Sequence, residues 1–118
     1  MYQTSEHYYQ SKKFEGTVYE EQVRLTPSPS QAAAMGRDKS LPLRADWDKV
    51  KDHYMRVALM AKFKCNNYLY EVLMGTGENK LEERTKNDSY WGTGSDEEGG
   101  SGKNMLGVLL MELRSKLR

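Results

Sequence analysis

Glu6, Gln10 and Lys13 follow one another at steps of four and three residues, with His7 beside Glu6. On a helix those steps share a face, so a carboxylate, an amide and an ammonium would point into one pocket. Such a set could polarise a bond and hold an anion; the same spacing also describes the solvated face of a surface helix. A second group is contiguous: Asn87-Asp88-Ser89-Tyr90-Trp91-Gly92. It places a carboxylate and an amide next to a ring able to exclude water, ahead of glycines that let a backbone approach a ligand. A turn with Trp91 pinned into a core accounts for the same residues.

Arg37 and Arg44 flank a loop and either could clamp a phosphate through its planar donors. Trp47 starts a long periodic segment, where a tryptophan serves as a core anchor or as a platform for a heteroaromatic base. Other chemistries lack their residues. His7 and His53 are the only histidines and stand in no metal-ligand spacing with a carboxylate or with Cys65, so neither metal nor cofactor is expected. No glycine run joins a strand to a helix in the pattern of a phosphate loop, and no serine stands in a nucleophile elbow. Any catalysis falls to carboxylates and amides.

These residues need helices to position them. A helix is expected over Ser5 to Phe14, capped by Thr4 or Ser5, and a short one over Gly16 to Val23. Ser28, Pro29 and Gln31 spell a capping box with proline at the first helical position, continued by Ala32 to Met35 and stopped at Gly36. The clearest element spans Asp46 to Phe63, with Trp47, Val50, Tyr54, Val57, Ala58 and Ala61 as an apolar face suited to a central core helix. Asn66 or Asn67 opens another helix through Leu69 to Met74, ended by Gly75 and Gly77. Lys80 to Arg84 is too short for a helix and too charged for a buried strand, which is compatible with an edge strand. Trp91 to Lys103 reads as a glycine-rich loop, and Asn104 to Leu117 as a final helix.

At 118 residues the chain has the size of one domain, 1–118, without a repeat or an interdomain linker. A charged fraction of 30% and a mean hydropathy of -0.86 leave disorder open, but the helical periodicity favours folding. Eighteen basic against seventeen acidic side chains leave a net charge of +1, so no global field draws the chain to nucleic acid or an anionic membrane. The single cysteine suits a reducing compartment. No apolar run approaches the roughly 20 residues of a membrane span, and the N-terminus lacks the regions of a signal peptide, so a cytoplasmic location is expected.

Together the segments become specific. Thr4 to Gln10 with Lys13-Phe14, Ala34 to Arg37, Arg44 to Trp47, Ala61 to Phe63, Asn87 to Gly92, and Lys103 to Gly107 leading into Leu109 to Arg114 resemble, in collinear order, the NADAR or YbiA-like family. Its name reflects a proposed link to NAD and ADP-ribose, and its members include N-glycosidases acting on riboflavin-pathway intermediates. The resemblance implies an α+β, helix-dominated domain with a few short strands. It also implies Glu6, Trp47 and Asp88 in an active site, with Lys13, Arg37, Trp91 and Asn104 binding the substrate or its phosphate.

Two departures stand out: no Phe-Ser-Asn-Phe type segment precedes Met1, and Glu82 occupies a position where the family pattern prefers an apolar strand residue. The implied reaction is hydrolysis of a phosphoribosylamino-pyrimidine or -uracil to the free heterocycle and ribose 5-phosphate, with Glu6 and Asp88 as the catalytic carboxylates. The implied alternatives are an ADP-ribosyl glycohydrolase acting on modified guanine in nucleic acid, and a nucleotide-binding remnant without turnover.

Overall fold

The computed structural model describes residues 2–83, 88, 90–92 and 102–118. Six helices account for the regular structure among them: α1 (Ser5–Lys12), α2 (Val18–Arg24), α3 (Pro29–Arg37), α4 (Trp47–Cys65), α5 (Asn67–Gly75) and α6 (Met105–Leu117). The chain divides into two units, Met1–Lys62 and Phe63–Arg118.

In the first unit α1 packs on both α2 and α3. Its Thr4 cap accepts from the His7 amide at 3.1 Å, which satisfies one of the otherwise orphaned first-turn donors. The buried residues of α1 are His7, Tyr9, Gln10 and Ser11, mostly polar, and each polar group needs a partner to be there. The His7 ring bonds Thr4 Oγ1 at 2.7 Å and the Thr26 carbonyl at 3.0 Å; since a carbonyl only accepts, Nε2 carries the proton on that side. Ser11 Oγ donates back to the Tyr8 carbonyl at 2.7 Å. The apolar core lies just past this helix, where Phe14, Val23 and Ala32 are buried and Tyr19, Met35 and Leu41 pack against them.

Ser28 caps α3 by accepting from the Gln31 amide at 3.2 Å, and Pro29 takes the first turn, where a missing N–H costs nothing. Gln31 answers with its side chain on Ser28 Oγ, not on the Ser28 amide, so half of the expected capping box forms. The helix runs through Gly36 to Arg37 instead of stopping at the glycine. Trp47, Ala58 and Leu59 are the buried residues of α4, while Val57 is 39% exposed, so the expected apolar face is only partly used. The central helix of this unit is α1.

In the second unit Asn66 caps α5 by accepting from the Leu69 amide at 3.1 Å, and Gly77, with φ of +61°, turns the chain out past its end. Leu109 and Leu113 of α6 are buried, and so is Arg114, whose guanidinium donates to Thr76 Oγ1 at 2.7 Å and to the Asn79 carbonyl at 2.9 Å. These bonds tie α6 to the C-terminal end of α5.

The expectation of an α+β fold is corrected: no strand occurs among the described residues, and the architecture there is all-α. Residues 80–83, expected as an edge strand reaching Arg84, have no regular structure; Arg84 lies outside the described residues. The reason is local. The Leu81 carbonyl accepts from Asn104 Nδ2 and the Glu83 amide donates to Asn104 Oδ1, both at 2.8 Å. A carbonyl and an amide two residues apart are the groups a neighbouring strand would engage, and a side-chain amide takes them here. Glu82 faces solvent with Lys80 at 3.4 Å, so the cost of burying that carboxylate does not arise.

Candidate functional site

The first unit brings together Glu6, Gln10, Lys13 and Trp47. Glu6 is half-buried, and its Oε1 accepts from Gln10 Nε2 at 2.8 Å, one turn further along α1. Lys13 lies beyond the C-terminal end of that helix and donates from Nζ to the Gly36 carbonyl at 3.1 Å. The ammonium stands 5.7 Å from the Trp47 ring and 5.9 Å from the Tyr9 ring, within cation–π range of both.

Burial pushes the Lys13 ammonium below its ordinary range, and the positive charges of Arg37 and Lys51 push the same way; the Glu6 carboxylate opposes them. The arrangement is a partly desolvated cation with one carboxylate and two further cations around it, and it gains from an incoming anion.

Trp47 is 7% exposed, stacked on Tyr54 with centroids 6.2 Å apart and meeting Tyr9 edge-on at 5.2 Å. It forms a wall behind Lys13. Arg37 ends α3, is exposed, and forms no ion pair with a described residue.

Arg44 is occupied, and this separates the two arginines that the sequence offered equally. Its guanidinium pairs with both oxygens of Asp46 at 2.6 and 3.1 Å, with Glu15 at 3.1 Å and with the Tyr54 hydroxyl at 3.1 Å. Tyr54 also donates to Glu15 at 2.9 Å, and that bond is the main cause holding the Glu15 carboxyl below its ordinary value. Arg44 therefore braces the approach to α4, whereas Arg37 stays exposed with no ion pair to a described residue.

The second unit holds Asp88, Trp91 and Asn104. Asp88 Oδ1 accepts from the Tyr90 amide at 2.9 Å and the Trp91 amide at 2.8 Å, which fixes the carboxylate on its own turn. Trp91 is half-buried and meets the Tyr90 ring edge-on at 4.9 Å. Asn104 is 7% exposed, with its amide engaged by Leu81 and Glu83 as described. The backbone carbonyls of Tyr90, Trp91 and Gly92 accept from the amides of Met105, Leu106 and Asn104 at 2.8 to 2.9 Å. The start of α6 is thus capped by the turn that carries Asp88. Asn87, Ser89 and residues 93–101 of the expected loop lie outside the described residues.

Gly36, expected as a helix stop and as part of the Ala34 to Arg37 match, has a packing role that the sequence does not display directly. A Cβ there would overlap Gln10 Oε1 and come within 3.2 Å of Lys13 Nζ. The adjoining Arg37 was the signal available, because a glycine directly before a candidate phosphate ligand marks a place where backbone and side chains meet closely. Among the described residues no group of three or more His, Cys, Asp or Glu side chains could hold a metal ion, and no helix is long and apolar enough to cross a membrane.

The chain is 52% identical over 114 residues to N-glycosidase YbiA of Escherichia coli, covering 97% of this chain and 69% of that protein. The NMR structure of E. coli YbiA superposes with a TM-score of 0.87 at 51% identity, over 98% of this chain and 67% of that one. N-glycosidase Npun_R5314 of Nostoc punctiforme is 41% identical over 118 residues, covering 98% of this chain and 74% of its own length. The chloroplastic riboflavin biosynthesis protein PYRR of Zea mays is 37% identical over 124 residues, covering 97% of this chain and 19% of its own length. The NADAR domain model matches residues 1–118, and the chain belongs to the NADAR domain family.

Proposed function

We propose that the chain is an N-glycosidase, a hydrolase of N-glycosyl compounds, acting on phosphoribosylamino-pyrimidine or -uracil intermediates and releasing ribose 5-phosphate. Relatives named N-glycosidase and riboflavin biosynthesis protein support the bond class and the substrate class. The observation that carries the reading is the Lys13 ammonium, lowered by burial and set between aromatic rings and the Glu6 carboxylate, with exposed Arg37 contributing to the same field.

The reaction adds water across the bond between C1′ of the ribose and the exocyclic nitrogen. As that bond breaks, C1′ gains positive character and nitrogen must gain a proton to leave as a neutral amine. A carboxylate can stabilise the developing charge or take a proton from the attacking water; a carboxylic acid can supply the proton to nitrogen. Glu6 and Asp88 are assigned these tasks, Lys13 and Arg37 the 5-phosphate, and Trp47, Trp91 and Asn104 the surroundings of the substrate. The products are the amino-heterocycle and ribose 5-phosphate.

The deciding experiment incubates the protein with a phosphoribosylamino-uracil and, separately, with an oligonucleotide carrying ADP-ribosylated guanine, and follows products by mass spectrometry. Release of ribose 5-phosphate from the first, abolished in Glu6→Gln, is the expected result. Turnover of the oligonucleotide alone would reassign the substrate to nucleic acid, and tight binding of ribose 5-phosphate without turnover of either would make the protein a binding module.

A further inference from the structure

Gln10 is 7% exposed, and its Oε1 is buried without a hydrogen-bond partner among the described residues. A buried acceptor left empty is costly, and a glutamine can ordinarily avoid it by exchanging its oxygen and nitrogen through a half-turn of the amide. Here the exchange is blocked. It would turn Oε1 toward Glu6 Oε1, the oxygen that Nε2 now approaches at 2.8 Å, and set two acceptors against each other.

The other side of the amide is fixed by backbone. Oε1 lies against Gly36 in the space a Cβ would fill, and the Gly36 carbonyl is held in turn by Lys13 Nζ at 3.1 Å. The amide is therefore clamped between a helix-borne carboxylate and a glycine of another helix. One carboxylate oxygen of Glu6 is occupied, and Oε2 accepts no hydrogen bond from any other described residue. The two oxygens become inequivalent before a substrate arrives.

We propose that Gln10, seated on Gly36, is a positioning residue that orients the Glu6 carboxylate so that Oε2 is the oxygen presented to the reacting centre. The inference rests on the reading of Glu6 as a catalytic carboxylate, and part of its test is independent of turnover.

That part is NMR of the Gln10 side-chain amide in the intact protein. One Nε2 proton should be shifted downfield and slow to exchange in the wild type, and should lose both properties in Glu6→Ala. An amide indistinguishable between the two proteins would overturn the proposal, whether or not the protein is an N-glycosidase.

The kinetic part compares Gln10→Glu, Gln10→Ala, Gly36→Ala and the Gln10→Ala/Gly36→Ala double variant on phosphoribosylamino-uracil. Gln10→Glu preserves volume and replaces the donor with an acceptor; it should lower kcat by roughly 10- to 100-fold with KM changed less than about threefold, the signature of a misplaced reacting group. Gly36→Ala should cost a comparable factor in the wild type and less than about twofold in the Gln10→Ala background, where the Cδ and Oε1 atoms that its Cβ would overlap are gone. Wild-type kcat in Gln10→Glu, or fully additive losses, would show that the pair serves packing alone. A wild-type protein inert toward this substrate would sink the N-glycosidase reading and leave the NMR comparison to decide this one.

Discussion

Lys13 Nζ donates to the Gly36 carbonyl at 3.1 Å, and this bond holds a lysine at a position where burial and two neighbouring cations disfavour its charge. The folded state thus binds the Lys13 proton less tightly than the unfolded chain, whose lysine titrates near 10.5. Below the lowered folded value both states are protonated and the folded state bears the whole penalty. As pH rises from there toward 10.5 the penalty is relieved, so this residue's contribution to stability rises with pH. Subtracting the denaturation midpoints of Lys13→Met from those of the wild type between neutral and alkaline pH should give an upward slope. A flat difference curve would mean that the ammonium is better solvated than its surroundings imply. On the phosphorylated substrate the same variant should lose about 10- to 100-fold in kcat/KM, the range of a charge-assisted hydrogen bond.

Arg37→Gln isolates the second cation. The side chain is exposed, so stability should stay within about 0.5 kcal/mol of the wild type. Activity on the 5-phosphorylated ribosylamine should fall about tenfold or more, and activity on the dephosphorylated analogue less than about threefold, because only the first substrate loses an anionic partner. Equal losses on the two substrates would assign the phosphate to Lys13 instead.

Trp47→Leu should weaken both folding and binding. The ring is 7% exposed and contacts Tyr9 and Tyr54, and losing two aromatic pairs of about 0.5–1.5 kcal/mol each costs on the order of 1–3 kcal/mol. The wall behind Lys13 goes with it, so affinity for ribose 5-phosphate should drop as well. Thermal melts and ligand titration on one preparation separate the effects: a stability loss with unchanged affinity would confine Trp47 to the core.

Local signals made much of this structure legible in the sequence. The caps at Thr4, Ser28 and Asn66 act through bonds to amides three residues away, and each was readable from residue type and spacing. The grouping of Glu6, Gln10 and Lys13 on one face was readable for the same reason, because the steps of a helix are fixed. What could not be read depends on distant partners. His7, Gln10 and Ser11 look like a polar outer face, yet they are buried, and the Thr26 carbonyl that accepts from His7 lies 19 residues away. Arg37 and Arg44 are equivalent in sequence; Glu15 and Tyr54, distant along the chain, occupy the second and leave the first. The strand expected at residues 80–83 failed because its hydrogen-bonding groups are taken by Asn104, more than 20 positions later. Gly36 has a helix-stopping tendency that the sequence shows, whereas the Gln10 side chain pressed against it comes from another helix.

Asn104 carries the last prediction, because its family-implied substrate role and its structural role lead to different outcomes. It is the one non-glycine residue with positive φ among the described residues, at φ 52° and ψ 41°, a left-handed conformation that asparagine tolerates far better than alanine. Its side chain supplies the donor to Leu81 and the acceptor to Glu83, and Gly107 one turn along α6 leaves room for that pairing, since a Cβ there would overlap both the Leu81 carbonyl and the Asn104 amide. Asn104→Ala therefore loses two hydrogen bonds and adds left-handed strain, for a total on the order of 2–5 kcal/mol. Asn104→Gly loses the same bonds without the strain and should be about 1 kcal/mol more stable than the alanine variant. Asn104→Asp keeps the acceptor for Glu83 and sets a carboxylate oxygen against the Leu81 carbonyl, so it should also destabilise. Chemical denaturation ranks the three. If the glycine variant, assayed well below its melting temperature, keeps the wild-type KM for phosphoribosylamino-uracil, Asn104 acts by holding residues 81–83 against α6; a KM raised about tenfold at unchanged kcat would return it to the substrate's surroundings.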